Sequence, residues 1–286
     1  MALPTFFVIG APKAGTTSLH NYLAAHPQIQ MSAVKEPRFF AGPENGIPYP
    51  PDHVGSLDAY EALFDPAAEV RGESSTDYAT HPRRQGVPER IKELVPEARF
   101  IYLVRDPIAR TVSHFKMTTA LLGERRTLRE ALGDLTDLHS PYLSPSLYAT
   151  QLERYLSSFP PERILVIDQA DLQAERRATL SQVFDFLSVE DTGPLDGFTE
   201  EHLGSADWRA YPSGYANFIA RHVAPRVQWV PRGLRQSARR SVERLLWRPL
   251  DTDLDDDLRE QLEGLYAPEV ARLCDLTGME FPTWSV

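Results

Sequence analysis

Short apolar runs alternate along the chain with segments whose apolar residues recur at helical spacing. Phe6–Gly10 predicts a buried strand, and Thr16–Ala25 predicts a helix that stops near Pro27. Pro43–Pro51 is a Pro/Gly-rich loop, after which Ser56 is placed to cap a short helix through Leu63. Val70–Glu73 predicts a second strand and Pro88–Val95 a helix. Arg99–Arg105 predicts a third strand, with a helix from Ile108 to about Leu121. Ser146–Phe159 predicts another helix and Arg163–Asp168 a last strand. Further helices are predicted at Arg177–Leu187, Leu234–Leu246 and Leu254–Thr277.

Strands alternating with helices imply an α/β fold: a central, mainly parallel sheet flanked by helices on both faces. Such sheets bind ligands at the carboxyl ends of their strands, so Gly10, Glu73 and Arg105 are expected on one rim. Neither a repeat nor a low-complexity linker divides residues 1–286, and one domain is expected. Residues 188–233 are irregular and rich in Gly, Pro and aromatic residues, which suits either a lid or a poorly ordered loop.

The first strand runs into Gly10-Ala11-Pro12-Lys13-Ala14-Gly15-Thr16-Thr17-Ser18. Strand, glycine-flanked loop and helix is the order of a phosphate-binding loop, whose N–H groups face an anion. In the ATP/GTP pattern a lysine directly follows the second glycine. Here Thr16 holds that position and Lys13 lies inside the loop. A phosphate is expected without the usual arrangement for a β/γ-phosphate and magnesium.

Composition narrows the classes. Of 286 residues 42% are hydrophobic and 24% charged, the balance of a globular domain. A net charge of −10 argues against a nucleic-acid partner, which calls for a basic face. The single cysteine, Cys274, excludes an internal disulfide, and its helical surroundings predict a buried structural thiol. Met1–Phe7 lacks a basic start and no apolar stretch is long enough to span a bilayer, so a cytoplasmic enzyme is expected. The lysines are Lys13, Lys35, Lys92 and Lys116, and arginine supplies the other basic residues. A lysine in the loop therefore suggests a use for a compact ammonium.

Two further segments carry chemistry. In Arg105-Asp106-Pro107 through Ser113, a strand end presents a guanidinium suited to phosphate, and a helix adds a hydroxyl. The plain alternative is a strand-end salt bridge from Arg105. In Lys35-Glu36-Pro37-Arg38-Phe39-Phe40, Glu36 is either a proton acceptor or the partner of Lys35 or Arg38 in a surface ion pair.

Together these motifs resemble the sulfotransferases that use 3′-phosphoadenosine-5′-phosphosulfate (PAPS), over residue 6 to about Leu172. The resemblance implies that Lys13, Ala14, Gly15, Thr16, Thr17 and Ser18 hold the 5′-phosphosulfate, and that Arg105 and Ser113 hold the 3′-phosphate. Lys13 would neutralise the oxygen bridging phosphorus and sulfur. The segment at Lys35 is similar to the carbohydrate (heparan-type) branch and its bacterial relatives, which implies Glu36 as base. Transfer in this family needs no metal, and the product is adenosine 3′,5′-bisphosphate.

The departures bear on the acceptor. Arg38 stands where that branch has histidine, and Ser74 where it has lysine. With the acidic net charge, this favours a small or glycosylated hydroxyl acceptor over a heavily sulfated polymer. Its site is expected to draw on Lys35, Arg38, Glu73, Asp77 and Tyr78, with Pro43–Pro51 and the segment after Ser188. Leu203-Gly204 through Pro212 faintly resembles the loop that closes over PAPS, so Arg209 is a candidate 3′-phosphate ligand and Trp208 a stacking residue. The arginines of Arg221–Arg248 have the spacing of a solvated face, and His81 is a fallback base. Two rivals remain: a P-loop nucleotide kinase or NTPase, with Asp168 as the candidate magnesium ligand, and a non-catalytic protein that binds adenosine bisphosphate.

Overall fold

The computed structural model describes residues 2–42, 53–191 and 254–286. Five parallel strands form one sheet in the order β2-β3-β1-β4-β5. They are β1 (Phe6–Gly10), β2 (Ile29–Met31), β3 (Val70–Ser74), β4 (Arg99–Val104) and β5 (Ile164–Asp168). Every residue of β1 is buried, and so is all of β4 except its first. Continuous apolar strands of this kind suit a parallel sheet covered on both faces.

The helices are α1 (Thr16–Ala24), α2 (Leu57–Glu61), α3 (Val87–Leu94), α4 (Pro107–Met117), α5 (Leu128–Leu132), α6 (Tyr148–Leu156), α7 (Gln169–Ala174), α8 (Arg176–Leu187) and α9 (Asp256–Thr277). Capping explains several starts. Ser56 accepts from the Ala59 N–H, Asp106 from Ala109 and Asp255 from Leu258. The helix predicted to reach Leu121 is α4 followed by a wider turn, Thr118–Leu122. The strand β2 and the helices α5 and α7 were not expected: each is too short to show a period of its own. The helix predicted at Leu234–Leu246 lies outside the described residues.

β1 has β3 on one side and β4 on the other, with Phe6 opposite both Gly72 and Arg99. The chain changes direction across the sheet at β1, so the loop after it opens into the crevice where such sheets take ligands. Gly72 makes the close approach feasible, because a Cβ there would lie 2.2 Å from Phe6 Cζ. Around this centre Phe7 stacks on Phe100 at 5.7 Å and meets Phe40 edge-on at 5.7 Å. A second apolar cluster joins Ile108, Phe115, Leu132 and Leu147 to Leu258, Leu262 and Tyr266 of α9. Cys274 is half-buried on α9, less enclosed than its surroundings predicted.

Candidate active site

The loop between β1 and α1 is held from beneath. The Ala11 N–H donates to the Leu103 carbonyl of β4 at 2.6 Å, and Ala14 N–H closes a turn onto Ala11 at 3.1 Å. Gly15 precedes α1 at φ 92°, a left-handed conformation that glycine adopts without a Cβ penalty. No side chain caps α1 and no acid lies in its first turn, so no side chain there offsets the positive end of the helix dipole. Thr16 is buried, while Thr17 and Ser18 are half-buried at the helix start. Lys13 has φ 72°, which a non-glycine residue adopts only with outside support.

That support comes from arginine. Arg105 donates from Nη1 to the Lys13 carbonyl at 3.1 Å. Arg110, wholly buried on α4, donates to the Pro12 carbonyl at 3.4 Å, and also to Ser146 Oγ and the Tyr142 carbonyl. Its hydrogen bonds end on hydroxyls, carbonyls and the His114 imidazole, 3.3 Å from Nη1. Burial, then the charges of Arg105 and Arg110, push the Lys13 ammonium below its ordinary pKa. The His114 imidazole is pushed down to about 3 by burial, then by Arg110, Arg83 and Lys13. Several cations therefore share one low-dielectric place, an arrangement that an anionic ligand would relieve. Arg110 is the residue sequence reasoning missed here. It was visible in the Arg105–Ser113 segment, but nothing local showed that it is buried. Ser113 is half-buried on the same helix.

Glu36 lies across from this loop. A Cβ on Gly10 would sit 3.8 Å from the Thr76 carbonyl, and Thr76 Oγ1 donates to Glu36 Oε1 at 3.3 Å. The Glu36 carboxylate also takes Lys35 Nζ at 2.9 Å and Arg38 Nη2 at 2.7 Å. Both ion pairs weighed from the sequence are present at once. Burial acts to raise the Glu36 pKa, but Lys35 and Arg38 outweigh it and hold the carboxyl below the usual range. Arg38 turns its Nε to Asp77 Oδ2 at 3.1 Å, so one guanidinium bridges two carboxylates. Glu36 and Arg38 are both left-handed, at φ 61° and 56°. The Glu36 N–H is fixed to the Ser74 carbonyl at 2.9 Å and the Arg38 N–H to Ser75 Oγ at 3.1 Å. Clustered backbone outliers of this kind persist where the surroundings over-determine them.

A model of the sulfotransferase domain family matches residues 3–203. The chain belongs to that family. It is 27% identical to the Bos taurus bifunctional heparan sulfate N-deacetylase/N-sulfotransferase 2 over 73% of this chain and 27% of that protein. It is 28% identical to the Mus musculus carbohydrate sulfotransferase 15 over 68% of this chain and 44% of that protein. The chain thus spans less than half of these relatives' length. The crystal structure of a sulfotransferase from Alicyclobacillus acidocaldarius matches over 100% of both chains, with TM-score 0.71 and 24% identity, and shares the fold.

Within this sulfotransferase fold several expected side chains fall elsewhere. Glu73 is on the rim by position, but its carboxyl is wholly buried, accepting from Tyr60 OH and from Ser75 Oγ at 2.7 Å. Burial raises its pKa to about 7. Tyr78 is also buried and takes the Phe40 N–H at 3.1 Å. Both side chains are enclosed rather than open on the rim, with Glu73 among Tyr60, Ser75 and Tyr78. Asp77 stays half-buried on Arg38, with burial raising its pKa against the pull of Arg38 and Arg84. His81 has Arg154, Glu89 and His139 for electrostatic neighbours, and its backbone N–H donates to Gln151 Oε1 at 2.7 Å. Asp168 caps α7 through the Ala170 N–H at 3.1 Å and takes Trp284 Nε1 at 3.0 Å. Sequence reasoning also missed His20, whose Nδ1 lies 3.0 Å from Ser74 Oγ. Arg209, Trp208, Pro43–Pro51, residues 192–233 and the Arg221–Arg248 stretch lie outside the described residues.

Proposed function

We propose that the chain is a PAPS-dependent sulfotransferase acting on a hydroxyl of a small or glycosylated acceptor. The supporting observation is the loop after β1, where Lys13 shares buried surroundings with Arg105 and Arg110, together with the Glu36 carboxylate, which follows β2 and is tied to Ser74 and Thr76 at the end of the adjacent strand β3. The residues present fit PAPS. The α1 N-terminus and the Gly15–Ser18 N–H groups suit the 5′-phosphate, and Arg105 with Ser113 suits the 3′-phosphate. PAPS supplies the sulfuryl group and its phosphate leaving group.

Glu36, held ionised, accepts the proton of the acceptor hydroxyl while that oxygen bonds to sulfur. Its ion pairs lower its basicity but orient both carboxylate oxygens. Lys13 would neutralise the phosphate oxygen that keeps the electron pair when the donor's sulfur–oxygen bond breaks. On this reading the transfer needs no metal.

The acceptor wall is charge-balanced. Lys35 and Arg38 are spent on Glu36 and Asp77, and Ser74 meets an imidazole, which suits an uncharged hydroxyl compound over a sulfated polymer. No described helix is long and apolar enough to cross a membrane. A cytoplasmic enzyme remains the reading of the sequence.

Thermal shift tests the donor. Adenosine 3′,5′-bisphosphate should raise Tm without magnesium, since a ligand that binds the folded state stabilises it. A larger shift from ATP with magnesium would favour a nucleotide kinase or NTPase. Binding of the bisphosphate without PAPS consumption by any hydroxyl acceptor would leave a non-catalytic binding protein.

A further inference from the structure

His20 is half-buried on α1, one turn beyond Thr16, where that helix begins. Its partner Ser74 is wholly buried at the end of β3. The Ser74 hydroxyl meets His20 Nδ1 at 3.0 Å and its carbonyl accepts the Glu36 N–H at 2.9 Å. One residue thus joins the helix that follows the phosphate loop to the backbone of the carboxylate opposite. Glu36 sits at φ 61°, where a non-glycine backbone needs such support.

The chemistry of the pair suits a strut. Burial and then the Lys35 ammonium push the His20 pKa down to about 4, with Glu36 pulling the other way, so the ring is neutral at neutral pH. A hydroxyl both donates and accepts, so Ser74 pairs with either tautomer.

We propose that His20 is a positioning residue for sulfuryl transfer, which through Ser74 fixes the phosphate-loop helix against the segment carrying Glu36. This rests on the reading of Lys13 and Glu36 as the two sides of the reacting centre. In-line attack needs the reacting atoms about 3–3.5 Å apart, and a misplacement of about 1 Å can cost on the order of 10²-fold. A tie between donor and base therefore acts on kcat.

The test compares His20→Ala, His20→Asn, Ser74→Ala and the double alanine variant in two measurements. One is PAPS consumption with a panel of phenols, alcohols and glycosides. The other is amide hydrogen exchange at Glu36. His20→Ala should lower kcat about tenfold or more, with KM for PAPS and the bisphosphate thermal shift nearly unchanged. Exchange at Glu36 should quicken. Asparagine carries a polar atom at the distance of Nδ1 from the backbone, so His20→Asn should restore both readouts. Ser74→Ala should match His20→Ala, and the double variant should add little, since the two act as one unit. Unchanged kcat and exchange in His20→Ala would overturn the proposal. Equal losses in bisphosphate binding, or an asparagine variant no better than alanine, would do the same. If the wild type consumes no PAPS with any acceptor, the functional reading falls, and exchange at Glu36 still decides whether His20 and Ser74 hold that segment.

Discussion

Arg105 donates a hydrogen bond to the carbonyl of Lys13, 3.1 Å away, and so holds the loop residue at φ 72°. The residue assigned to the 3′-phosphate thereby also shapes the loop assigned to the 5′-phosphosulfate. Two residues separated by 92 positions in sequence thus shape one loop.

This link makes Arg105→Ala a double lesion. It should weaken adenosine 3′,5′-bisphosphate about tenfold or more, the scale of a lost hydrogen bond to a charged group, and weaken AMP much less. It should also lower kcat through the released Lys13. Calorimetric titration of both nucleotides checks the first part. Equal losses for the two would remove Arg105 from the 3′-phosphate.

Lys13→Ala should cripple transfer more than it weakens binding. The ammonium is asked to stabilise charge that develops only as the leaving group departs, and one such group is worth about 10²–10³ in kcat. Steady-state kinetics with PAPS, set beside bisphosphate affinity, would show kcat falling further than affinity.

Glu36→Gln should lower kcat by about 10²-fold or more while leaving the bisphosphate thermal shift intact. Lys35 and Arg38 hold the Glu36 pKa below the ordinary carboxylate value, so the acid limb of kcat should lie below the usual carboxylate range. An acid limb near neutral pH would assign the base elsewhere. The stability linked to this carboxylate is present above its unfolded pKa and is lost as pH falls through its depressed folded value.

Glu73 titrates in the opposite sense. Its folded pKa of about 7 lies above the ordinary 4.5, so the folded protein binds the extra proton. Its contribution is fully present below pH 4.5 and is lost as pH rises towards about 7. Glu73→Gln should therefore flatten the decline of Tm between those values, which a series of thermal melts would show. An unchanged slope would place the titration elsewhere.

Most of the frame was legible because it rests on local pattern. Phe6–Gly10 and Phe100–Val104 are continuous apolar runs, and their burial follows from that alone. β2 escaped because it is three residues at a sheet edge, defined only by pairing with β3. The turn from β1 through a glycine-flanked loop into α1 was legible from its glycines. Glu73 was not: an acid near a strand end looks like a rim residue until the aromatic layer of Tyr60 and Tyr78 is placed over it.

By itself the sequence determined the order of the longer strands and helices, the glycine-flanked loop with Lys13 inside it, and the segments carrying Arg105 and Glu36. Those depend on periodicity and short-range spacing, which one chain carries openly. Only the tertiary structure decided which charges share a low-dielectric place. It buried Arg110 beneath Pro12, set Arg38 between Glu36 and Asp77, and brought His20 to Ser74. These contacts cross strands and helices far apart in sequence, and electrostatic strength depends on burial and distance, which no local pattern encodes.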